Sequence, residues 1–300
     1  VFASIRKQDI LLHHPYQSFS PVIEFLEQAV DDPAVVAIKM TVYRTGTDSV
    51  LMELLLRAAR QGKEVTVVVE LMARFDEEAN INWASRLEEV GAHVVYGVFG
   101  YKTHAKMLMV VRREEGEGGK GGSVLRRYVH LGTGNYHPRT AKLYTDFGLL
   151  SCNEGLCADV NEVFKQLTGL GKASKLNHLL LAPFSLHDAM LAAITPQTRV
   201  VFVANPNNPT GTHVDRDALL RFVNAVPQHV LVALDEAYIE FLDNPLDLKS
   251  EIAAGLRQNV LLMRTFSKVY GLAGLRLGYG IGSLDLIAAL EKIRQPFNIN

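Results

Sequence analysis

The sequence predicts two successive α/β segments, and three observations carry that prediction. Apolar, β-branched runs alternate with amphipathic helical stretches along all 300 residues. Several of the helical stretches in the first half close on glycine, a helix stop signal. Polar turns follow the strand-like runs, which is where sheets of this kind carry their chemistry. The alternation implies parallel or mixed sheets covered by helices.

In the first half, "AVVAIKMTVYR" (34–44) reads as a buried strand. "SVLMELLLRAARQG" follows as a helix, with Leu51, Leu54, Leu55 and Ala58 on one face and Gly62 as its stop. "EVTVVVEL" (64–71) reads as a second strand, and "EEANINWASRLEEVG" as a helix ending on Gly91. "HVVYGVF", "AKMLMVV" and "RRYVHLG" read as further strands. Between the last two, "REEGEGGKGGSVLRR" (113–127) reads as a mobile, Gly-rich hairpin tip or insertion loop. In the second half, "TRVVFVANPNNPTG" is a strand entering a turn and "DRDALLRFVNAVP" a short helix. "HVLVALDEAY" is an apolar strand ending in acids, and "NVLLMRTFSKVYGLAGLRLGYG" a strand, a polar turn and a Gly-containing run. No internal repeat relates the halves.

Composition narrows the function. Hydrophobic residues make up 48% and charged residues 21%, enough apolar material for a sizeable core. A net charge of −1 argues against nucleic-acid binding through global basicity. No apolar run reaches membrane-span length, and no signal-peptide pattern opens the chain. Cys152 and Cys157 are the only cysteines, too few for a disulfide framework or a zinc set, so a cytoplasmic, reducing environment is expected. Both ends, Val1 and Asn300, are expected to be truncations.

The densest polar cluster is "YKTHAKMLMVV". His104 and Lys106 are two apart, so on a strand they share a face. An imidazole can attack phosphorus while an adjacent ammonium neutralises phosphate oxygens. "HLGTGN" adds His130 and Asn135 around a turn, Gly132-Thr133-Gly134, whose backbone could approach an anion. Arg44 and Arg74 follow predicted strands, and guanidinium forks suit phosphate oxygens. Pairing with nearby acids, such as Asp76 or Glu77, is the alternative reading of either arginine.

"DILLHHPYQSF", "VYRTG", "VVVELMARFDEEANI", "YKTHAKM" and "HLGTGNYHPRTAKLYTDFGLL" together closely resemble polyphosphate kinase, from about residue 3 to residue 190. Residues 1–190 would then be the first of that family's two phospholipase D-like carboxyl-terminal domains. The resemblance implies reversible transfer of the terminal phosphate of ATP, with Mg2+, onto polyphosphate. It implies His104 as the phosphorylated intermediate, His130 as a catalytic assistant and Tyr144 as a nucleotide contact. It associates Arg44 and Arg74 with magnesium. A guanidinium has no lone pair to give a metal, so both are read as phosphate clamps near it.

A second cluster lies in the last hundred residues. Lys268 sits past a predicted strand, where a lysine can form a Schiff base with a carbonyl. Asp235 and Tyr238 end another strand and Asn208 a third, at intervals of 27 and 33 residues. Each interval is about one strand-plus-helix unit, so the three reach one sheet edge. Singly, these are a common turn, a helix cap and a commonplace Ser-Lys. Jointly, an acid, a phenol, an amide, an arginine (Arg276) and a lysine are what pyridoxal 5'-phosphate (PLP) asks for.

"NPNNPTGT", "LDEAYIEF" and "RTFSKVYGLAGLRLGYG" closely resemble histidinol-phosphate aminotransferase, a fold-type I PLP-dependent transferase of histidine biosynthesis. The resemblance covers residues 191–300, a part of that large domain. It implies Lys268 as cofactor lysine and general base, Asp235 on the pyridine nitrogen, and Asn208 and Tyr238 on the ring hydroxyl oxygen. Ser267 and Arg276 would hold the phosphate, and histidinol phosphate would be the substrate. Parent enzymes of this kind are oligomeric.

The chain is thus expected to be a composite of two α/β domains, 1–190 and 191–300, with little activity of either kind because each half lacks partners its chemistry requires. A genuine bifunctional enzyme and a non-catalytic binding protein are the alternatives. The stretch "PFSLHDAMLAAITPQ" (183–197) reads as an amphipathic helix and is the expected seam, with the crossover at 188–191 and no linker composition on either side.

Overall fold

The computed structural model describes residues 1–43, 46, 48–70, 77–97, 103–116, 122–169, 175–181, 192–208 and 211–293. The chain divides into two compact units, Val1–Leu186 and His187–Asn300. The expected crossover at 188–191 lies outside the described residues, as do Arg44 and Arg74.

The first unit is built on a seven-stranded mixed sheet. In chain order its strands are β1 (Ile10–His14), β2 (Val35–Val42), β3 (Glu64–Val69), β4 (His93–Val95), β5 (Lys106–Glu115), β6 (Ser123–Gly132) and β7 (Asp146–Ser151). Their spatial order is β1-β7-β6-β5-β2-β3-β4; β2, β3 and β4 run parallel and the other pairings are antiparallel. β2 and β3 are buried on both faces, which is why they read as continuous apolar runs rather than alternating ones.

Helices cover both faces. On one lie α1 (Phe2–Lys7), α2 (Ser20–Asp31), α3 (Val50–Arg60) and α4 (Glu77–Glu89), around a core that includes Leu26, Met40, Leu55, Val67, Leu108 and Tyr128. α3 begins where Ser49 accepts the amide of Met52 at 3.4 Å, a cap worth about 1 kcal/mol. Gly62 supplies the left-handed residue after it, φ +82°. On the other face α5 (Glu154–Leu167), capped by Asn153, packs Val160 and Phe164 on Met107, Met109 and Val129.

Several expectations change. β1, β7, α1, α2 and α5 had no strand or helix reading in the sequence. The strand expected over 93–99 is described only as His93–Val95. The stretch 113–127 is not mainly a loop: the β5–β6 ladder runs in register to Glu115↔Ser123, leaving only 117–121 outside the described residues. Buried Glu114 makes this possible. It accepts from Arg112 (3.1 Å), Arg126 (3.0 Å) and the Tyr128 hydroxyl, so the charged segment is neutralised within the sheet.

The second unit has a four-stranded sheet of β8 (Val200–Ala204), β9 (Leu231–Asp235), β10 (Val260–Thr265) and β11 (Gly278–Ile281), ordered β11-β10-β9-β8. β8, β9 and β10 are parallel; β11 is antiparallel to β10. α6 (Arg216–Ala225) starts at Asp215, whose carboxylate accepts the amides of Asp217 and Ala218 at 2.9 and 3.2 Å. Its Leu219 and Val223 share a core with Val232, Leu234, Val260 and Leu262. α7 (Lys249–Ala253) and α8 (Leu284–Glu291) complete the unit. Both units are α/β, as the alternation predicts. No helix among the described residues is long and apolar enough to cross a membrane.

Candidate functional site

In the first unit the polar residues gather at the carboxyl ends of β2 and β3 and the start of β5. β5 begins at Lys106, so His104 precedes the strand instead of sharing its face, as the spacing alone suggests. The two side chains meet all the same. Lys106 Nζ lies 3.0 Å from His104 Nδ1, 2.9 Å from its Nε2 and 2.7 Å from its carbonyl oxygen. Nζ is about equally far from both ring nitrogens and singles out neither; the ring nitrogen without a proton is the one with the lone pair. That is also the nitrogen able to attack phosphorus. Lys106 is buried, and its Nζ also sits 5.1 Å from the centre of the Tyr43 ring. Tyr43 meets His104 edge to face, centroids 4.6 Å apart at 79°.

Three further residues of this corner carry no signal in the sequence reading. The Thr41 hydroxyl donates to the Ala105 carbonyl (2.6 Å) and accepts the Met107 amide (2.9 Å). Asn80, fully buried on α4, donates to the carbonyls of Tyr43 (3.0 Å) and Glu70 (2.9 Å), tying the ends of β2 and β3 together. The Glu70 carboxylate accepts the Thr103 amide at 2.8 Å, just before His104.

His130 stands on β6 on the same face as Lys106, since Lys106 pairs with Gly132 and Leu108 with His130. It is buried, with Nδ1 2.9 Å from the Tyr136 hydroxyl and Nε2 without a hydrogen-bond partner among the described residues. Burial, with a smaller contribution from His14, pushes its pKa down to about 3, so the ring is neutral. His14 shares the burial: its Nδ1 donates to the Gln17 carbonyl (2.8 Å), and its Nε2 has no partner among the described residues. Gly132 and Gly148, paired across β6 and β7, make room for the His130 ring. A Cβ on Gly148 would lie 2.7 Å from its Nε2.

The Gly132-Thr133-Gly134 turn is tied to β7 rather than open. Thr133 donates its hydroxyl to Asp146 (2.8 Å) and its amide to the Phe147 carbonyl (2.9 Å). The Asp146 carboxylate lies against Gly134, which makes this backbone a poor seat for an anion. Asn135 follows with a buried Oδ1 that has no partner among the described residues. Tyr144 is 63% exposed, next to a 3-10 turn at Thr140–Lys142. The structure thus joins His104 to Lys106, sets His130 on the sheet face of Lys106 and leaves Tyr144 on the surface.

In the second unit a cavity of about 310 Å³ is lined by Asp235, Ser267, Lys268 and Arg276, among others. A neighbouring cavity of about 550 Å³ is lined in part by Asn208 and Tyr238. The two groups adjoin: Asn208 Nδ2 donates to the Tyr238 hydroxyl at 3.1 Å, and Lys268 Nζ lies 5.0 Å from the centre of the Tyr238 ring. Asp235 accepts the Ala237 amide at 3.0 Å. Arg276 caps a 3-10 turn in the left-handed region, φ +53°, which non-glycine residues seldom adopt. The size of the space and its acid, hydroxyl, amine and guanidinium suit a small phosphorylated aromatic cofactor. Behind Asp235 lies an ion pair absent from the sequence reading, Arg264 Nε to Glu236 Oε2 at 2.8 Å. Burial pushes the Glu236 carboxyl up, against the opposing pull of Arg264. Among the described residues no cluster of His, Cys, Asp and Glu could hold a metal ion.

Comparison with known proteins matches two stretches of the chain to two families. The family described as polyphosphate kinase C-terminal domain 1 matches residues 1–173, and aminotransferase class I and II matches residues 185–300. A polyphosphate kinase of Burkholderia vietnamiensis is 65% identical over 194 residues, which are 65% of this chain and 28% of that protein. One from Paraburkholderia phytofirmans is 64% identical over the same coverage. The chain therefore spans about 28% of the length of these relatives. The crystal structure of a polyphosphate kinase from Porphyromonas gingivalis aligns with a TM-score of 0.63 and 26% identity, over 87% of this chain and 42% of that one. The chain belongs to the polyphosphate kinase C-terminal domain 1 family, and its residues 185–300 are similar to aminotransferase class I and II.

Proposed function

We propose that residues 1–190 form a phosphotransferase domain acting between ATP and polyphosphate through a phosphohistidine at His104. The contact of Lys106 Nζ with the His104 ring carries this reading. A ring nitrogen attacks the terminal phosphorus of ATP. The N–P bond forms as the P–O bond to ADP breaks, and ADP leaves with the electron pair. A terminal oxygen of polyphosphate then takes the phosphoryl group and frees the ring. Lys106 releases the nitrogen as it turns to the incoming phosphate, neutralising charge where it builds. Magnesium enters with ATP, with Arg44 and Arg74 as phosphate clamps and Tyr144 as a nucleotide contact. His130, neutral and buried, assists from behind Lys106 as part of the sheet wall. Incubation with labelled ATP and Mg2+ should leave an acid-labile label that His104→Ala abolishes; no label, an acid-stable label, or one that survives the substitution, overturns the reading.

For residues 191–300 we propose a PLP-binding segment of aminotransferase type. Ser267 and Arg276 would hold the cofactor phosphate, Asp235 the ring nitrogen, and Asn208 with Tyr238 the ring hydroxyl. Lys268 would bind the carbonyl carbon and move the substrate proton. The cofactor, when bound, supplies an electron sink. An amino-acid-type phosphate such as histidinol phosphate is the substrate class. Borohydride reduction with PLP should label Lys268; a label confined to other lysines would sink the assignment.

The two functions meet in one chain as a composite. The polyphosphate kinase C-terminal domain 1 match covers residues 1–173, and the aminotransferase match begins at residue 185. One long sequencing read of the source DNA across codons 183–197 tests this. Two separate genes support the composite, and one uninterrupted frame supports a bifunctional enzyme.

A further inference from the structure

We infer that Thr41 and Tyr43, at the end of β2, are positioning residues that hold His104 and Lys106 in their reactive arrangement. The inference rests on His104 being the phosphoryl acceptor. β2 and β5 pair in register as far as Met40↔Leu108. One residue on, the Thr41 side chain continues the connection. Its hydroxyl donates to the Ala105 carbonyl and accepts the Met107 amide, at 2.6 and 2.9 Å. These atoms belong to the two peptide groups on either side of the Lys106 Cα. One buried hydroxyl therefore fixes the backbone from which the lysine departs. From there Nζ reaches back to the His104 carbonyl and ring.

Tyr43 lies two residues after Thr41 and holds the other partner. Its ring lies edge to face with the imidazole and offers its π-system toward Lys106 Nζ. Both placements depend on the end of β2, which Asn80 anchors through the Tyr43 carbonyl. Thr41→Val keeps the shape of the side chain and removes the hydroxyl. It leaves the Ala105 carbonyl and the buried Met107 amide without this partner. Thr41→Ser restores the hydroxyl alone.

The test measures the rate of phosphoryl incorporation at His104 in the full 300-residue chain, from two donors. One is ATP with Mg2+. The other is phosphoramidate, which phosphorylates imidazole directly with release of ammonia and needs no nucleotide site. The expected loss is about tenfold or more for Thr41→Val with either donor, recovering to within about threefold in Thr41→Ser. Thr66→Val, a buried threonine substitution on β3, serves as a stability control and should leave the rate unchanged. Tyr43→Leu should lower the rate as Thr41→Val does, and decides the matter if Thr41→Val fails to fold. Equal rates in wild type, Thr41→Val and Tyr43→Leu overturn the inference. If wild type takes label from phosphoramidate but not from ATP, the kinase reading fails, and the phosphoramidate rates still decide the positioning roles.

Discussion

Lys106 Nζ lies 2.9 Å from Nε2 of His104, although the two residues do not share a strand. The lysine side chain folds back from the first residue of β5 to the loop before it. The contact thus depends on the backbone at residue 105, which the Thr41 hydroxyl fixes. Lys106→Met keeps the length and apolar stem of the side chain and removes the donor. It should lower phosphoryl incorporation at His104 by about 100-fold, the scale for losing one charge-stabilising donor. Rapid-quench labelling, with circular dichroism to verify folding, measures the effect.

His130 ties stability to pH. Its folded pKa of about 3 lies below the ordinary 6.5, so the folded ring stays neutral while the unfolded chain takes up a proton. Stability must therefore fall as pH drops from 6.5 toward 3. Between pH 7 and pH 5 the loss from this one group is about 2 kcal/mol. Trp83, the single tryptophan, is buried in the first unit and reports its urea transition by fluorescence. The pH dependence should flatten by about that amount in His130→Asn.

Gly148 should tolerate no side chain. A Cβ there would sit 2.7 Å from His130 Nε2, so the buried ring would have to shift to admit it. Gly148→Ala should cost about 1–3 kcal/mol, typical of overpacking. The same Trp83 urea transition measures it.

In the second unit, Arg264→Met should be costly because it leaves the Glu236 carboxylate buried without its cation. The loss is about 3 kcal/mol, at the low end for breaking a buried pair, because Arg264 keeps some exposure. Calorimetry that separates the two units should place the shift in the second transition alone.

What could be read from the sequence follows from the range of each interaction. The strand-helix alternation is local, and it predicted β2, β3, α3, α6, β9 and β10 near their observed places. The His-x-Lys spacing is local too. Thr41 acts on residues 64 and 66 positions away, and Asn80 on a residue 37 positions away, so neither is visible in its own neighbourhood. β5 and β6 outran their expected ends because Glu114 is neutralised by Arg112, Arg126 and Tyr128. Two of those partners come from the opposite strand, where a charged, Gly-rich string reads as loop. β1 was hidden for another reason: its two histidines, His13 stacked on Phe147 and His14 buried, break the apolar pattern that marks a strand.

The central claim is that a nitrogen of His104 bonds to phosphorus. Phosphorus NMR of the 300-residue chain after incubation with ATP and Mg2+ observes that bond directly. A single phosphoramidate-type resonance, lost in acid and absent from His104→Ala, is the predicted result. A phosphoester resonance instead, or a phosphoramidate signal that persists in His104→Ala, would contradict it.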